Sequence, residues 1–446
     1  MEQLQQTRTV PVTGSYDVAV CGGGPGGWIA AVAAARMGAR TALVERNGYA
    51  GGMATAGLVV PISVFVYSGE LVCGGIPWEF VQRMVDQGGA QVEEPLGNVA
   101  HDPEIYKLTA QRMLLESGVH LHFHSVLTGC RQEGGRLTHV ILDTKSGPQA
   151  LEGKEGLSGI LGPQALAARY VIDSTGDGDL CAMMGVPMQE NVLPLQPASL
   201  CFCLGGVDTD RLERTHHEIQ GLNYHNERIQ SFLRELSRTR EVPTFGGPWF
   251  CHLLRPGSVM VNMTRTEADM TDPAQATEAE CRLREDAHAL TALLREHFPE
   301  FRNARILYTA QQAGVRETRH VKGVHVLTGE EYLQAVPFPD AVARSAHPID
   351  IHSGGDSHQR CTFLEKAAYI PYRSLIVPGF DNLLVASRCF SGDQIASASV
   401  RVQAPVMCLG QAAGAAAAQC ARTGASVHDA DIPALQALLR AWGAAV

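Results

Sequence analysis

Gly22, Gly24 and Gly27 stand at G-x-G-x-x-G spacing within CGGGPGG, a pattern suited to binding a pyrophosphate. The first glycine permits a tight turn, the second lets backbone approach the phosphates, and the third allows a helix to pack closely on a strand. Pro25 and Gly26 complete the turn at the start of that helix, where unpaired N–H groups and the positive end of the helix dipole face the anion. Glu45, 21 residues after Gly24, can accept hydrogen bonds from a ribose. A bare glycine trio is also compatible with a turn that binds nothing. The combination of apolar run, turn, helix, apolar run and terminal acid points to a dinucleotide.

Arg46 follows, and then a second glycine cluster, Gly51 and Gly52 beside Met53 in YAGGMATAG. A nicotinamide domain has no use for it, whereas a flavin dinucleotide extends past the second strand and needs small residues there. Two further stretches are VIDSTGDGDLCAMMGVP, with Thr175, Gly176 and Asp177, and DNLLVASRCFSGDQIASASVRVQAPVMCLGQAAGAAAAQ, with Gly410, Gln411 and Ala412. On these motifs the chain resembles the FAD-dependent oxidoreductase family of the glutathione-reductase-like flavoprotein superfamily, in the branch that also holds fumarate-reductase-type flavoproteins. The resemblance implies a Rossmann-like FAD-binding domain, made of a parallel sheet plus a small antiparallel sheet, with an inserted α+β substrate domain. It also implies that the carboxylate of Asp177 faces the cofactor and that Val126 joins the cofactor contacts. A helix N-terminus around Gly410, Gln411 and Ala412 would direct N–H groups at the flavin, while close helix packing is the other use of these small residues. A covalent link would need His, Cys or Tyr near the ring; Met53 stands in the segment where it would be sought, so the FAD is expected to be noncovalent.

Substrate chemistry is sought in GVRETRHVKGVHVLT and HPIDIHSGGD. Arg316 could clamp a carboxylate or stabilise developing negative charge, with Glu317 beside it; an Arg–Glu network tying two domains together is equally compatible. His352, which alternation places on the same face as Asp350, is either a proton carrier or a structural hydrogen-bonding group. Arg401 either binds cofactor or pairs with an acid. The expected activity is hydride transfer between a small organic substrate and flavin N5, of dehydrogenase or oxidase type. A flavin monooxygenase and a non-catalytic FAD-binding sensor are the alternatives. No second G-x-G-x-x-G lies between Gly185 and Asp381 and no C-x-x-C occurs, so the substrate itself is expected to reduce the flavin, and oxygen, a quinone or another small acceptor to reoxidise it.

The elements that must position these residues are legible in outline. YDVAVC, an Ala-rich helix and TALVE form a strand–helix–strand unit of a parallel sheet. VHLHF, SVLTGCR and RLTHVILD read as an antiparallel sheet turning at Gly134 and Gly135, followed by a surface loop over 146–162 and the strand RYVIDST. Helical stretches are expected over 208–240, which carries solvent-facing His216 and His217, and over 272–297. Strands are expected over 198–204 and 258–263, with Cys201 and Cys203 on one face. SLIVPG and NLLVAS read as strands ahead of a small-residue helix over 404–419. The expected division is 1–190 with 365–446 for the FAD domain and 191–364 for the inserted substrate domain.

Composition limits the partners. Forty-six acidic against 36 basic residues give a formal charge of -10, which leaves no broad basic field for nucleic acid. No run of about 18 apolar residues occurs, so no membrane span is expected. The opening MEQLQQTRTVPVTGSYD has no basic n-region and apolar h-region, so a cytoplasmic protein with reduced cysteines is expected. No metal site is expected; homo-oligomerisation is left open.

Overall fold

The computed structural model describes residues 9–144, 162–215, 218–220, 223–225, 227–355 and 357–446. The expected surface loop over 146–162, apart from Gly162, lies outside them, as do His216 and His217.

The strand Val12–Cys21 is buried without interruption from Val18 to Cys21, as befits a strand covered on both faces. It runs parallel to Thr41–Val44 on one side and to Gly162–Asp173 on the other. Beyond these lie His120–His122 and Leu383–Val385, also parallel. Register sets Cys21 opposite Val44 and Asp173, Val44 opposite His122, and Asp173 opposite Val385, so five strands end along one edge. Strand order runs outward in opposite directions from Val12–Cys21, to Thr41–Val44 on one side and Gly162–Asp173 on the other, which makes the crevice above its carboxyl end a topological switch point. The fold is α/β, with a parallel Rossmann-like sheet and antiparallel additions.

Gly162–Asp173, at 12 residues, serves two sets of neighbours. Its first half pairs antiparallel with Arg136–Thr144, which returns as a hairpin from Ser125–Glu133. The hairpin turns at Gly134 and Gly135, whose φ values of 55° and 76° are left-handed. One expectation needs correction: His120–His122 does not join this hairpin. It emerges from the helix Pro103–Glu116 as a crossover and so pairs parallel with Thr41–Val44.

A second, six-stranded antiparallel sheet runs in the order Glu218–Gln220, Asn223–His225, Phe245–His252, Ser258–Thr264, Phe202–Gly205 and Arg305–Thr309. Alternation sends Phe202 and Leu204 into a core with Leu290 and Leu294 of the helix Pro273–His297. Cys201 and Cys203 share the opposite face with Met260, Cys251, Leu58 and Val60. Asp272 caps the long helix by accepting from the N–H groups of Ala274 and Gln275, both at 2.9 Å. The expected helix over 208–240 is instead Thr209–Thr215 and Glu227–Leu236, with two short strands between that extend the sheet edge. SLIVPG is likewise not a strand: Leu375, Ile376 and Val377 are buried, but only an isolated bridge from Ile376 to Leu384 forms before the turn at Gly379.

The helix Pro25–Arg36 is buried all along Gly26–Ala34, between the parallel sheet and the helix Gln403–Thr423. A Cβ on Gly410 would meet the Gly26 carbonyl oxygen at 2.1 Å, and one on Gly414 would meet that of Ala30 at 2.1 Å. Backbone therefore packs on backbone. Replacing Gly414 with Ala is expected to destabilise the protein by roughly 1–3 kcal/mol through overpacking. Denaturant unfolding of the variant against the parent measures it, and an unchanged midpoint would contradict the close approach.

Candidate functional site

Above the aligned strand ends lies a cavity of about 870 Å³. Residues that leave four of the five strands line it: Gly22, Glu45, Ser174 with Thr175, and Ser387 with Arg388. Gly22 has φ +100°, and a Cβ there would lie 2.2 Å from the Ser174 carbonyl oxygen. At Gly27 the clash would be with the Gly22 carbonyl oxygen at 1.8 Å, so this glycine serves packing and does not line the cavity. Gly24 differs from both. It caps the helix at φ -63°, a Cβ would meet nothing within 4 Å, and the position opens on the cavity. A turn whose middle glycine faces open space at a helix N-terminus fits a pyrophosphate.

Pro25, Gly26, Arg46, Gly52 and Met53 also line this end. Glu45 accepts at Oε2 from Gly23 N–H (2.7 Å) and at Oε1 from the backbone and side-chain N–H groups of Asn47 (both 2.8 Å), which ties the second strand to the glycine loop. One acceptor position of four remains for a ribose. Gly51 does not line the cavity. Its N–H donates to the Gly23 carbonyl (2.8 Å), and its φ of +118° sets the turn. Val126 is 47% exposed, pairs with Asp143 in the hairpin and lies outside the lining.

Thr175, Gly176 and Asp177 line the cavity, held by Asp173, which accepts from Thr175 N–H (3.1 Å), Thr175 Oγ1 (2.8 Å) and Cys181 N–H (3.0 Å). The Asp177 carboxylate accepts from Arg388 and from Thr318 Oγ1 (2.7 Å). Burial pushes its carboxyl up, but Arg388 and Thr318 outweigh that and hold it below the usual range. Arg388 Nε is buried with no partner. Gly410, Gln411 and Ala412 require correction. The helix starts at Gln403 after Val402, so they lie two turns inside it, fully buried, and Gln411 Oε1 accepts from Ile76 N–H (3.1 Å). Val402, Gln403 and Val406 take the place at the cavity.

The other end of the same cavity carries Arg316, His347, Asp350, His352 and Arg401. Arg265 Nη2 donates to His352 Nδ1 at 2.8 Å, and a guanidinium can only donate, so Nδ1 carries no proton. His352 Nε2–H then donates to Asp350 Oδ2 at 2.8 Å. Burial pushes His352 down, to about 3, and Arg316 adds to this against the pull of Asp350. The ring is neutral with both nitrogens engaged, which fits the structural reading of His352. Asp350 also accepts from Gln359 Nε2 (2.5 Å); burial would raise its carboxyl, but His352 and Arg401 hold it well below the usual range.

Arg316 Nη1 donates to Pro197 O and Ser199 Oγ, both at 2.7 Å. Burial pushes Arg316 down to about 9, and the neighbouring Arg265 and Arg401 push the same way. Glu317 points elsewhere. It accepts from Gln196 N–H (3.1 Å), His320 Nε2 (3.0 Å) and Gln394 Nε2 (3.0 Å) outside the lining. Sequence reasoning missed Arg265, which follows an apolar strand with no motif around it, and also His347. The Nδ1–H of His347 donates to the Pro348 carbonyl (2.8 Å), and burial pushes the ring below its ordinary value, so a neutral imidazole with an acceptor Nε2 lines the cavity.

Among the described residues no helix is long and apolar enough to cross a membrane. The sequence profile of the family described as FAD dependent oxidoreductase matches residues 17–439. Two dihydrolipoyl dehydrogenases are similar over short stretches. One, from Trypanosoma brucei brucei, is 53% identical over 45 residues, 10% of this chain and 9% of that protein. The other, mitochondrial, from Schizosaccharomyces pombe, is 30% identical over 97 residues, 22% and 19% respectively. The matches thus span less than a fifth of either relative. Among solved structures, a geranylgeranyl bacteriochlorophyll reductase-like protein from Thermoplasma acidophilum superposes with a TM-score of 0.49 at 12% identity, covering 96% of this chain and 84% of that one.

Two outcomes are expected. Gly24→Leu is expected to leave the fold intact, since the new Cβ meets nothing within 4 Å and the position opens on the cavity, yet the purified variant carries little or no dinucleotide. Dinucleotide released by acid and measured per polypeptide reports this, and full occupancy would contradict the placement. Stability also falls below neutral pH. His101 (pushed to about 4 by burial), His347 and His352 are all lowered in the folded state, so the stability they contribute is present above about pH 6.5 and lost as pH falls toward their folded values. His101 and His352 each contribute a slope of up to about 1.4 kcal/mol per pH unit within that window, and His347 acts in the same direction, measurable by urea unfolding at pH 7 and pH 5.

Proposed function

Because the chain belongs to the FAD dependent oxidoreductase family, FAD is its cofactor, and we propose that it oxidises a small organic substrate as a dehydrogenase or oxidase. The observation that supports this reading is that the glycine loops and the Arg316–Asp350 cluster line one continuous cavity. When bound, FAD supplies a two-electron acceptor able to take a hydride from carbon. The protein is left to hold the cofactor, orient the substrate and accept its proton.

In this reading noncovalent FAD follows Gly22, Gly24, Gly52 and the Thr175–Gly176 turn. The substrate lies against Arg316 and Ser199, with Trp249, Cys251 and Met260 as the more apolar wall. These substrate-side residues all fall within 191–364, which supports assigning that stretch to the substrate and 1–190 with 365–446 to FAD. The proton acceptor is His347 through Nε2, since its Nδ1–H is fixed on a carbonyl. His352 moves no proton; it holds Arg265 and Asp350 in register. Arg316 orients the substrate, and Glu317 takes no chemical part. The glycine motifs and the Thr175–Asp177 turn support the glutathione-reductase-like superfamily and its fumarate-reductase-type branch.

With one dinucleotide fingerprint in the chain, electrons are expected to come from the substrate and pass to oxygen, a quinone or another small acceptor. In anaerobic stopped-flow mixing, NADH and NADPH alone are expected to leave the oxidised flavin band intact, while a hydride-donating substrate bleaches it. His347→Gln is expected to slow that bleaching by roughly 10²–10⁴ with FAD content unchanged. Rapid bleaching by a nicotinamide nucleotide alone would overturn the reading in favour of a monooxygenase. Absence of turnover with every electron acceptor would favour a sensor.

A further inference from the structure

A buried guanidinium is costly unless an opposite charge and hydrogen bonds compensate it. Arg265 donates to His352 and to the carbonyls of Ser353 and His358. Arg388 meets that condition through its ion pair with Asp177. Arg316 does not meet it. Its recorded partners are the neutral oxygens of Pro197 and Ser199, and among the described residues no carboxylate lies within ion-pair distance of it. Arg401 is only partly compensated. Its Nη2 reaches the Asp350 carbonyl at 3.1 Å, Gln196 Oε1 at 3.4 Å and the Asp350 carboxylate at 3.7 Å, and its Nε is buried without a partner. Asp350 is already shared with His352 and Gln359. The two histidines of this wall, His347 and His352, are neutral and contribute no counter-charge.

Among the described residues Arg316 thus has no ion-pair partner and Arg401 has only a long contact with an Asp350 that is already shared, so this wall, which also carries the apolar surface of Trp249 and Met260, is short of negative charge. We infer that the substrate is an organic acid: its carboxylate docks on Arg316 and Arg401, and its apolar body lies against Trp249 and Met260. A carboxylate supplies the missing charge, and its two coplanar oxygens match the guanidinium fork. A neutral isostere would leave the wall uncompensated. The inference rests on the reading above that this end of the cavity is the substrate end.

The test uses the FAD-loaded protein, so that the cofactor's own phosphates are already in place, and two matched probe pairs: benzoate with benzamide, and acetate with acetamide. Titration calorimetry measures binding, and the flavin difference spectrum reports whether the probe lies beside the ring. Benzoate is expected to bind at least tenfold more tightly than benzamide and to perturb the flavin spectrum. Arg316→Gln is expected to abolish the preference without changing FAD content, and Arg316→Lys to retain part of it. Equal binding of acid and amide by the parent protein overturns the inference, and that comparison needs no variant to fold. Loss of FAD from Arg316→Gln, together with no acid preference in the parent, would assign the arginines to the cofactor and overturn it as well. Tight benzoate binding that leaves the flavin spectrum unchanged upholds the anion site and instead refutes the reading that substrate and flavin meet there.

Discussion

Gly410 and Gly414 let the helix Gln403–Thr423 lie with its backbone against that of Pro25–Arg36, and this contact sets the distance between the two ends of the chain. The first of these helices brings Val402, Gln403 and Val406 to the cavity; the second brings the glycine loop that precedes it. A wider separation would move both walls apart. The same closeness excludes side chains at the contact, so the segment is rich in alanine and glycine because the geometry admits nothing larger.

The cavity divides electrostatically into two kinds of wall. At the glycine loops, recognition comes from backbone N–H groups and a helix dipole, with few net charges involved. At the Arg316 end the wall presents guanidinium groups whose positions are fixed by carbonyls, serine and a neutral histidine. His352 illustrates the difference between a residue that looks reactive and one that is engaged: a donor on one nitrogen and an acceptor beyond the other leave it no lone pair to offer. His347, five residues earlier, has one nitrogen tied to the Pro348 carbonyl and the other available, which is why the proton-acceptor role is proposed for it and not for His352.

The parts of the site legible in sequence are those whose geometry is local. The Gly22–Gly27 turn, Glu45 and the Thr175–Asp177 turn each sit at the end of one strand, so spacing alone places them. Gly410, Gln411 and Ala412 were misplaced because Val402 lacks a side-chain cap, and an all-small helix gives no sign of where it begins. Glu317 neighbours Arg316 in sequence, yet the two side chains leave the backbone in different directions. The Arg265–His352 contact joins residues 87 apart, and Arg316 reaches Pro197 across 119, distances over which no periodicity carries information. The helix expected over 208–240 failed for a related reason: the short strands inside it are stabilised by pairing with Phe245–His252 and not by their own propensity.

The helix pairing also has a consequence for biosynthesis. Pro25–Arg36 is buried along nearly its whole length in the fold, yet its partner Gln403–Thr423 leaves the ribosome more than 360 residues later. At 5–20 residues per second the interval is roughly 20–70 s. Throughout that time the nascent chain carries an Ala-rich helix without its backbone-to-backbone partner and a sheet lacking Leu383–Val385, so the cofactor cradle is complete only after both have been made.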